Sequence, residues 1–290
     1  MRLRTLAVPT LLLMSALPAR AQQGPPTVLM VTREQFRPGN MATHNKQIPA
    51  FYALFDKAKV GAPRLGLVPV SGDQNHIIYL ESHPGYADME ATAKKMGEVM
   101  GASPALQAEM DALSKANDPL HESQTVMIAF RRDDLSYHPR TPAEVGKVRN
   151  INLTVTRVNT GRGADYADYV KQTNAAREKV HLDEHTSVYQ VTSGAPAGTF
   201  LIFNSNSSMA EADAAFIGAA ARTKKVDEAL GGEAVVKARQ KMNAEIVATS
   251  TTTLYSVDRG ISRPAPEYVA ADPGFWKPVK PVEAPKPAKK

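Results

Sequence analysis

His44, Tyr52 and Tyr79 have the types and spacing of a small reactive centre. His44 falls one turn into an apolar-faced helical stretch, Tyr52 follows two turns later on the same stretch, and Tyr79 lies in a separate strand-like run. An imidazole titrates near neutral pH and ligates metals, so His44 suits either proton transfer or the axial position of a haem. The plain alternative is a partly exposed helix histidine with no chemical task. Arg33 and Arg157 form a second set. Each follows an apolar run, and each could orient a carboxylate or phosphate through the two parallel donors of a guanidinium. The plain alternative is a structural ion pair that recurs because the chain recurs.

Other constellations point less far. His181-Leu182-Asp183-Glu184-His185 has the H-x-x-E-H pattern of inverted zinc peptidases. That chemistry needs both histidines on one helix face, and here the pattern spans a helix end and a strand start, so no metal site is expected from it. Asn152, Thr154 and Thr156 line one face of a strand, and Asn204 and Ser205 add polar groups on another. They are hydrogen-bonding candidates for a ligand, or ordinary strand filling. Trp276, the sole tryptophan, stands beside Phe275 in a Pro-rich stretch, either docking that stretch onto the body or anchoring a partner. The chain has no cysteine, which removes disulfides, thiolate nucleophiles and thiolate-held metals. It has no phosphate-binding loop, dinucleotide fingerprint or nucleophile elbow, and Gly161-Arg162-Gly163 is too short to cradle a phosphate.

The elements that must position these residues follow from hydrophobic period and turn chemistry. Thr27–Phe36 reads as a strand that a Pro38-Gly39 turn leads into a helix, with Pro49 inside it. A hairpin follows at Arg64–Val70 and His76–Leu80, then a helical stretch broken near Gly101–Pro104, then a strand at Glu122–Arg131. The order β-α-β-β-α-β is the split βαβ unit of ferredoxin-like folds. It recurs from Arg149, with a second long helical stretch broken at Gly231-Gly232 and a last strand at Thr249–Val257. Arg33 and Arg157 are 124 residues apart, as are Gly39 and Gly163, and His44 then corresponds to Asp168; Ser71-Gly72 and Ser193-Gly194 are 122 apart. Such offsets signal an internal repeat.

The organisation is a leader over 1–21, a first ferredoxin-like repeat over 27–132, a linker over 133–148, a second repeat over 149–260, and a disordered Pro/Lys-rich tail over 261–290. Several strands are apolar on both faces, as in Val28-Leu29-Met30-Val31 and Val126–Phe130. A sheet apolar on both faces must be covered on both. Helices cover one face, and the second repeat's sheet is the nearest cover for the other. The expected fold class is therefore α+β: two tandem repeats pairing their antiparallel sheets into one intramolecular α/β barrel, an internal pseudo-dimer.

The run TREQFRPGNMATH resembles the NIPSNAP family, part of the dimeric α/β-barrel superfamily that includes the antibiotic-biosynthesis monooxygenases. The resemblance spans about Thr27–Arg132 and Asn150–Arg259, and the second copy departs from it, with Arg162 in place of Pro38 and Val158 in place of Glu34. It implies the barrel fold and a pocket between sheet and helices in one or both halves. It implies no reaction, because the superfamily holds cofactor-free oxygenases, haem enzymes and proteins without established chemistry.

The net charge of +6 sits at the ends of the 290-residue chain, +3 in the first 21 residues and +3 from Asp272 onward, so 22–271 is neutral. A neutral body argues against a nucleic-acid surface. MRLR, the apolar run Leu6–Leu17 and Ala19-Arg20-Ala21 form a secretory signal peptide cleaved after Ala21, and the chain is expected to be exported, periplasmic or secreted, with no membrane span. The expected function is binding of a small, partly apolar molecule in a sheet–helix pocket, with Arg33, His44, Tyr52, Tyr79 and Arg157 as ligand-contacting candidates and no cofactor or metal. One alternative is an oxidoreductase of the monooxygenase or haem-binding type, with His44 at its centre. Another is an envelope-associated interaction protein whose Lys-rich tail meets an acidic surface.

Overall fold

The computed structural model describes residues 26–277. The stretch 1–21 read as a signal peptide and most of the Lys-rich tail lie outside the described residues. In chain order the elements are β1 (Val28–Phe36), α1 (Met41–Ala58), β2 (Arg64–Pro69), β3 (His76–His83), α2 (Tyr86–Ala102), α3 (Pro104–Asn117), β4 (His121–Arg131), α4 (Pro142–Val145), β5 (Asn150–Val158), α5 (Gly163–Lys179), β6 (Thr186–Ser193), β7 (Thr199–Asn206), α6 (Met209–Ile217), α7 (Ala219–Leu230), α8 (Glu233–Ile246), β8 (Val247–Arg263), α9 (Pro266–Ala271) and α10 (Pro273–Trp276). The expected β-α-β-β-α-β order thus occurs twice. α1 runs through Pro49 as one helix, and the second helical stretch of each half is interrupted at Ser103-Pro104 or Gly231-Gly232 as the breakers require.

All eight strands form one closed antiparallel barrel in the order β1-β3-β2-β8-β5-β7-β6-β4. Each half contributes a four-stranded sheet, and the halves meet at two seams, β2 on β8 and β4 on β6. Alternation along the strands sends one set of side chains inward. Leu29, Val31, Leu67, Ile78 and Leu80 from the first half meet Ile151, Leu153, Leu201 and Phe203 from the second in one buried cluster. Each such side chain contributes about 1.5–3 kcal/mol through burial. The other strand faces pack under the helices, through Phe36, Ile77 and Tyr79 against α1, and Val158, Phe200 and Val188 against α5. The two-sided apolar strands are covered on both sides, as expected.

The segment read as disordered from residue 261 is ordered to Lys277. β8 continues past Arg259 because Ile261 is buried and Ser262 Oγ accepts the Gly66 amide at 2.9 Å. Beyond it α9 and α10 close one end of the barrel. Tyr268 and Trp276 are buried in the barrel cluster, Trp276 Nε1 donates to the Gly146 carbonyl at 2.8 Å, and Arg149 pairs with Asp272 and lies 3.6 Å over the Phe275 ring. Trp276 therefore docks on the body. Beneath this cap an apolar cavity of about 80 Å³ remains, bordered by Leu29, Leu65, Tyr189 and Phe203. The seams are short. β4 pairs with β6 only over Ile128–Arg131, and β8 pairs with β2 only from Tyr255 onward, which leaves the first halves of β4 and β8 exposed and explains their Ser/Thr/Gln composition. Among the described residues no helix is long and apolar enough to cross a membrane.

Candidate functional site

The layer between the first sheet and α1–α3 holds a buried polar cluster. Even-numbered residues of β1 face the helices, which places Glu34 there between Thr32 and Phe36. Gly39 (φ +85°) makes the Pro38-Gly39 turn, a conformation that favours glycine, so that α1 starts at Met41 and His44 falls on its inward face one turn later. The β1–β3 register sets Tyr79 opposite Thr32, and the β1–β4 register sets His121 opposite Phe36. Asn117, at the end of α3, closes the group.

These residues are hydrogen-bonded into one network. His44, fully buried, has Nδ1 2.8 Å from Asn117 Oδ1 and Nε2 2.9 Å from the Tyr79 hydroxyl and 3.4 Å from Glu34 Oε2. His121 has Nδ1 3.1 Å from the Asn117 carbonyl and Nε2 3.2 Å from Glu34 Oε2. Gln124 donates to the other Glu34 oxygen at 3.1 Å. The Phe36 ring packs on both imidazoles at 4.6 and 4.8 Å. Burial pushes the His44 imidazole below its ordinary range, against the opposing pull of the Glu34 carboxylate, so the ring is neutral near pH 7. Burial also drives the Tyr79 phenol far above its ordinary value, and Tyr52 up to about 12. Both are neutral hydrogen-bonding groups.

Beside this network a cavity of about 240 Å³ opens between the sheet and α1–α2. Met30, Phe55, Met89 and Met96 give it apolar, adaptable walls. Its polar features are Tyr52, whose hydroxyl donates to the Ile261 carbonyl at 2.8 Å, the Arg64–Glu81 pair at 2.6 Å, Thr92, and Arg263, which pairs with Asp56 at 2.8 Å. The Arg64 guanidinium lies 5.3 Å over the Tyr79 ring, which links cavity and network.

The structure brings His44 and Tyr79 into contact and sets Tyr52 at the adjoining cavity. It does not bring Arg33 or Arg157 there. Both occupy the barrel face of their strands. Arg33 reaches Asp73 of the β2–β3 turn at 3.4 Å, and Arg157 is exposed opposite Thr249. Nor are the two arginines equivalents. β1 and β5 both span nine residues and start 122 apart, α1 and α5 start 122 apart, and the left-handed turn glycines are Gly39 and Gly161. Arg157 therefore matches Gln35, and His44 matches Tyr166 rather than Asp168. The 124-residue spacing of Arg and Gly is a coincidence, and the Ser-Gly spacing of 122 carries the repeat.

With that alignment the second half shows what the fold alone requires. Thr156 stands at the place of Glu34, Tyr166 at that of His44, Ile202 at that of Tyr79, and Val247 at that of His121. No carboxylate or imidazole is needed there, although a carboxylate and two histidines occupy those places in the first half. Sequence reasoning singled out His44 and Tyr79 but missed Glu34 and His121 as partners. The available signal was a glutamate on a strand face otherwise occupied by Val28, Met30, Thr32 and Phe36.

The second half has its own cleft of about 590 Å³ between β5–β7 and α6–α7. It collects the polar strand residues Asn152, Asn204 and Ser205 and the pairs Arg140–Glu211 (2.7 Å) and Arg222–Glu184 (2.9 Å). The H-x-x-E-H run lies outside any helix. His181 sits at φ +48° after α5, and His185 Nδ1 donates to the His138 carbonyl at 2.7 Å, so the zinc-peptidase geometry is absent from it.

No protein-family model matches the chain, and no curated protein matches it. Among solved structures it is similar to an anthrone oxidase-like protein (13% identity, 80% of this chain and 91% of that one, TM-score 0.48). It is also similar to a proposed monooxygenase from Lactobacillus acidophilus NCFM (7%, 80% and 94%, TM-score 0.47). A third is a mutant chlorite dismutase from Candidatus Nitrospira defluvii (8%, 86% and 95%, TM-score 0.43). Likenesses this distant carry no argument about chemistry, and the fold stands on the strand topology described above.

Proposed function

We propose that the chain is an exported α/β-barrel protein that binds a small, partly apolar molecule in the sheet–helix layer of its first half. The observation that supports this reading is the cavity of about 240 Å³ walled by Met30, Phe55, Met89 and Met96, with Tyr52 and the Arg64–Glu81 pair as its polar edge. Apolar walls with a few fixed polar groups are the usual make-up of small-molecule sites. Because Arg64 is paired with Glu81 and Arg263 with Asp56, the ligand that fits carries a neutral polar end, a hydroxyl or carbonyl, on an apolar body. The resemblance of TREQFRPGNMATH to the NIPSNAP family agrees with this placement, and the leader with Ala19-Arg20-Ala21 supports export.

A second reading, an oxidoreductase of the monooxygenase type, is favoured by the buried Tyr79–His44–Glu34 network behind the cavity. Haem does not fit these residues. His44 is fully buried and does not line the adjoining cavity of about 240 Å³, so its ring offers no open face to a haem iron. The test of the binding reading is ligand-observed NMR with a panel of small phenols and ketones. Binding is expected for the parent chain, loss for Met96→Trp, which fills the cavity, and retention for Phe216→Trp at the second cleft. Binding that survives Met96→Trp, or no binding by the parent, overturns the assignment.

A further inference from the structure

The hydrogen bonding around Glu34 is one proton or one cation short. His121 presents both ring nitrogens to acceptors, the Asn117 carbonyl at 3.1 Å and Glu34 Oε2 at 3.2 Å. A neutral imidazole has a single N–H. With that N–H donated to the main-chain carbonyl, the Nε2 lone pair faces a carboxylate. His44 presents the same nitrogen to the same carboxylate: Nδ1 donates to Asn117 Oδ1, and Nε2 accepts from the Tyr79 hydroxyl at 2.9 Å with Glu34 Oε2 beside it at 3.4 Å. Two imidazole nitrogens and a carboxylate oxygen thus converge, all within 4.8 Å of one another, at a largely buried place where the His121–Glu34 contact sets two acceptors face to face.

The distances suit a coordinated ion. Ligands about 2.0–2.1 Å from a tetrahedral metal stand roughly 3.3–3.4 Å apart. The Glu34 oxygen lies 3.2 and 3.4 Å from the two Nε2 atoms. The outer groups are also of the right kind. Asn117 takes the Nδ1–H of both rings, one through its side chain and one through its main chain, and Gln124 holds the second Glu34 oxygen. Such partners fix the tautomer that turns each Nε2 lone pair toward the shared space, where a metal would replace the Tyr79 contact at His44. His121 is partly exposed beside the unpaired half of β4, which gives an ion a way in. The second half replaces the set with Thr156, Tyr166 and Val247, so the fold does not require it.

We propose that Glu34, His44 and His121 bind one divalent transition-metal ion per chain, of the zinc or iron(II) class that two imidazoles and a carboxylate select. The assignment is independent of the ligand-binding reading above. The test uses the untagged full chain, dialysed against chelator and titrated with Co²⁺ as a coloured stand-in, with Zn²⁺ as competitor. A visible d–d band is expected to saturate at one Co²⁺ per chain and to be displaced by Zn²⁺. His121→Gln and Glu34→Gln are expected to weaken Co²⁺ binding at least about 10-fold while keeping the parent far-UV circular dichroism. His185→Gln, in the H-x-x-E-H loop, is expected to leave the band unchanged. No band at one equivalent overturns the proposal, and so does a band that survives His121→Gln and Glu34→Gln. Should either variant fail to fold, ¹⁵N NMR of the parent replaces it. Zn²⁺ must then shift the Nε2 signals of His44 and His121, and unshifted signals overturn the proposal equally.

Discussion

Trp276→Ala tests whether α9 and α10 are part of the folded body. Trp276 is only 8% exposed, packs in the barrel cluster and donates to the Gly146 carbonyl at 2.8 Å. A buried tryptophan removes up to about 250 Å² from water, worth roughly 4–6 kcal/mol at about 25 cal/mol per Å². Because the unfolded chain already covers part of that surface, and truncations of this kind cost about 3–5 kcal/mol, a loss of about 4 kcal/mol is expected. For a body of this size that lowers Tm by roughly 8–16 °C. Trp276→Phe keeps most of the ring but leaves the Gly146 carbonyl with only the long 3.5 Å contact from Arg149 Nη1, at a cost of about 1 kcal/mol. The assay is thermal unfolding by far-UV circular dichroism, with a hydrophobic dye to report exposure of the cavity of about 80 Å³ beneath the cap. A Trp276→Ala melt within about 2 °C of the parent, with no added dye binding, would refute the reasoning and make the cap an appendage.

Three further outcomes are expected. Gly194→Ala strikes the β4–β6 seam: Gly194 has φ +85°, and an added Cβ would stand 2.0 Å from the Val126 carbonyl oxygen, so a loss of at least about 3 kcal/mol is expected by urea unfolding, against about 1 kcal/mol for Gly72→Ala, where φ is +78° and space is open. Burial alone would raise the Glu211 carboxyl, but hydrogen bonds from Ser207 and the Arg140 guanidinium hold it below its ordinary range. A depressed carboxyl contributes stability above its unfolded pKa that is lost as pH falls through the folded value, so Glu211→Gln should flatten the decline of Tm on acidification below about pH 4.5, which parallel melts of variant and parent will check. Intact-mass measurement of the chain recovered from the exported fraction should find Gln22 at its N-terminus, and a mass that retains residues 1–21 would count against export.

The barrel was legible because two-sided apolar strands such as Val28–Val31 leave few ways to bury both faces. The pairing of halves followed from the recurring element order, but its register did not. Arg33/Arg157 and Gly39/Gly163 share a spacing that the backbone does not use, whereas the spacing of Ser71-Gly72 and Ser193-Gly194 matches the strand and helix starts. The candidate site was half legible. His44 and Tyr79 stand out by residue type and helix or strand phase. Glu34 and His121 do not, because a charged residue near a strand end usually lies at a solvated rim, and their contact joins positions 87 residues apart through the β1–β4 register and the end of α3. The C-terminal segment reads as a tail because Pro and Lys dominate its composition, whereas β8 continues through Ile261 and the short helices after it bury Tyr268 and Trp276.

The two short seams also set how the barrel can fold. Each half pairs its strands locally, but the inward face of the first sheet, with Leu29, Val31, Leu67 and Leu80, meets its cover only through β5–β8, after the whole first half has been made. During synthesis that face is bare until nearly the whole chain exists, a situation that favours holding chaperones and late, all-or-none closure over stepwise growth. The same geometry makes a second copy of the first half the nearest mimic of the missing cover. Premature release would then give a dimer of first halves, competing with the correct closure by concentration rather than by sequence.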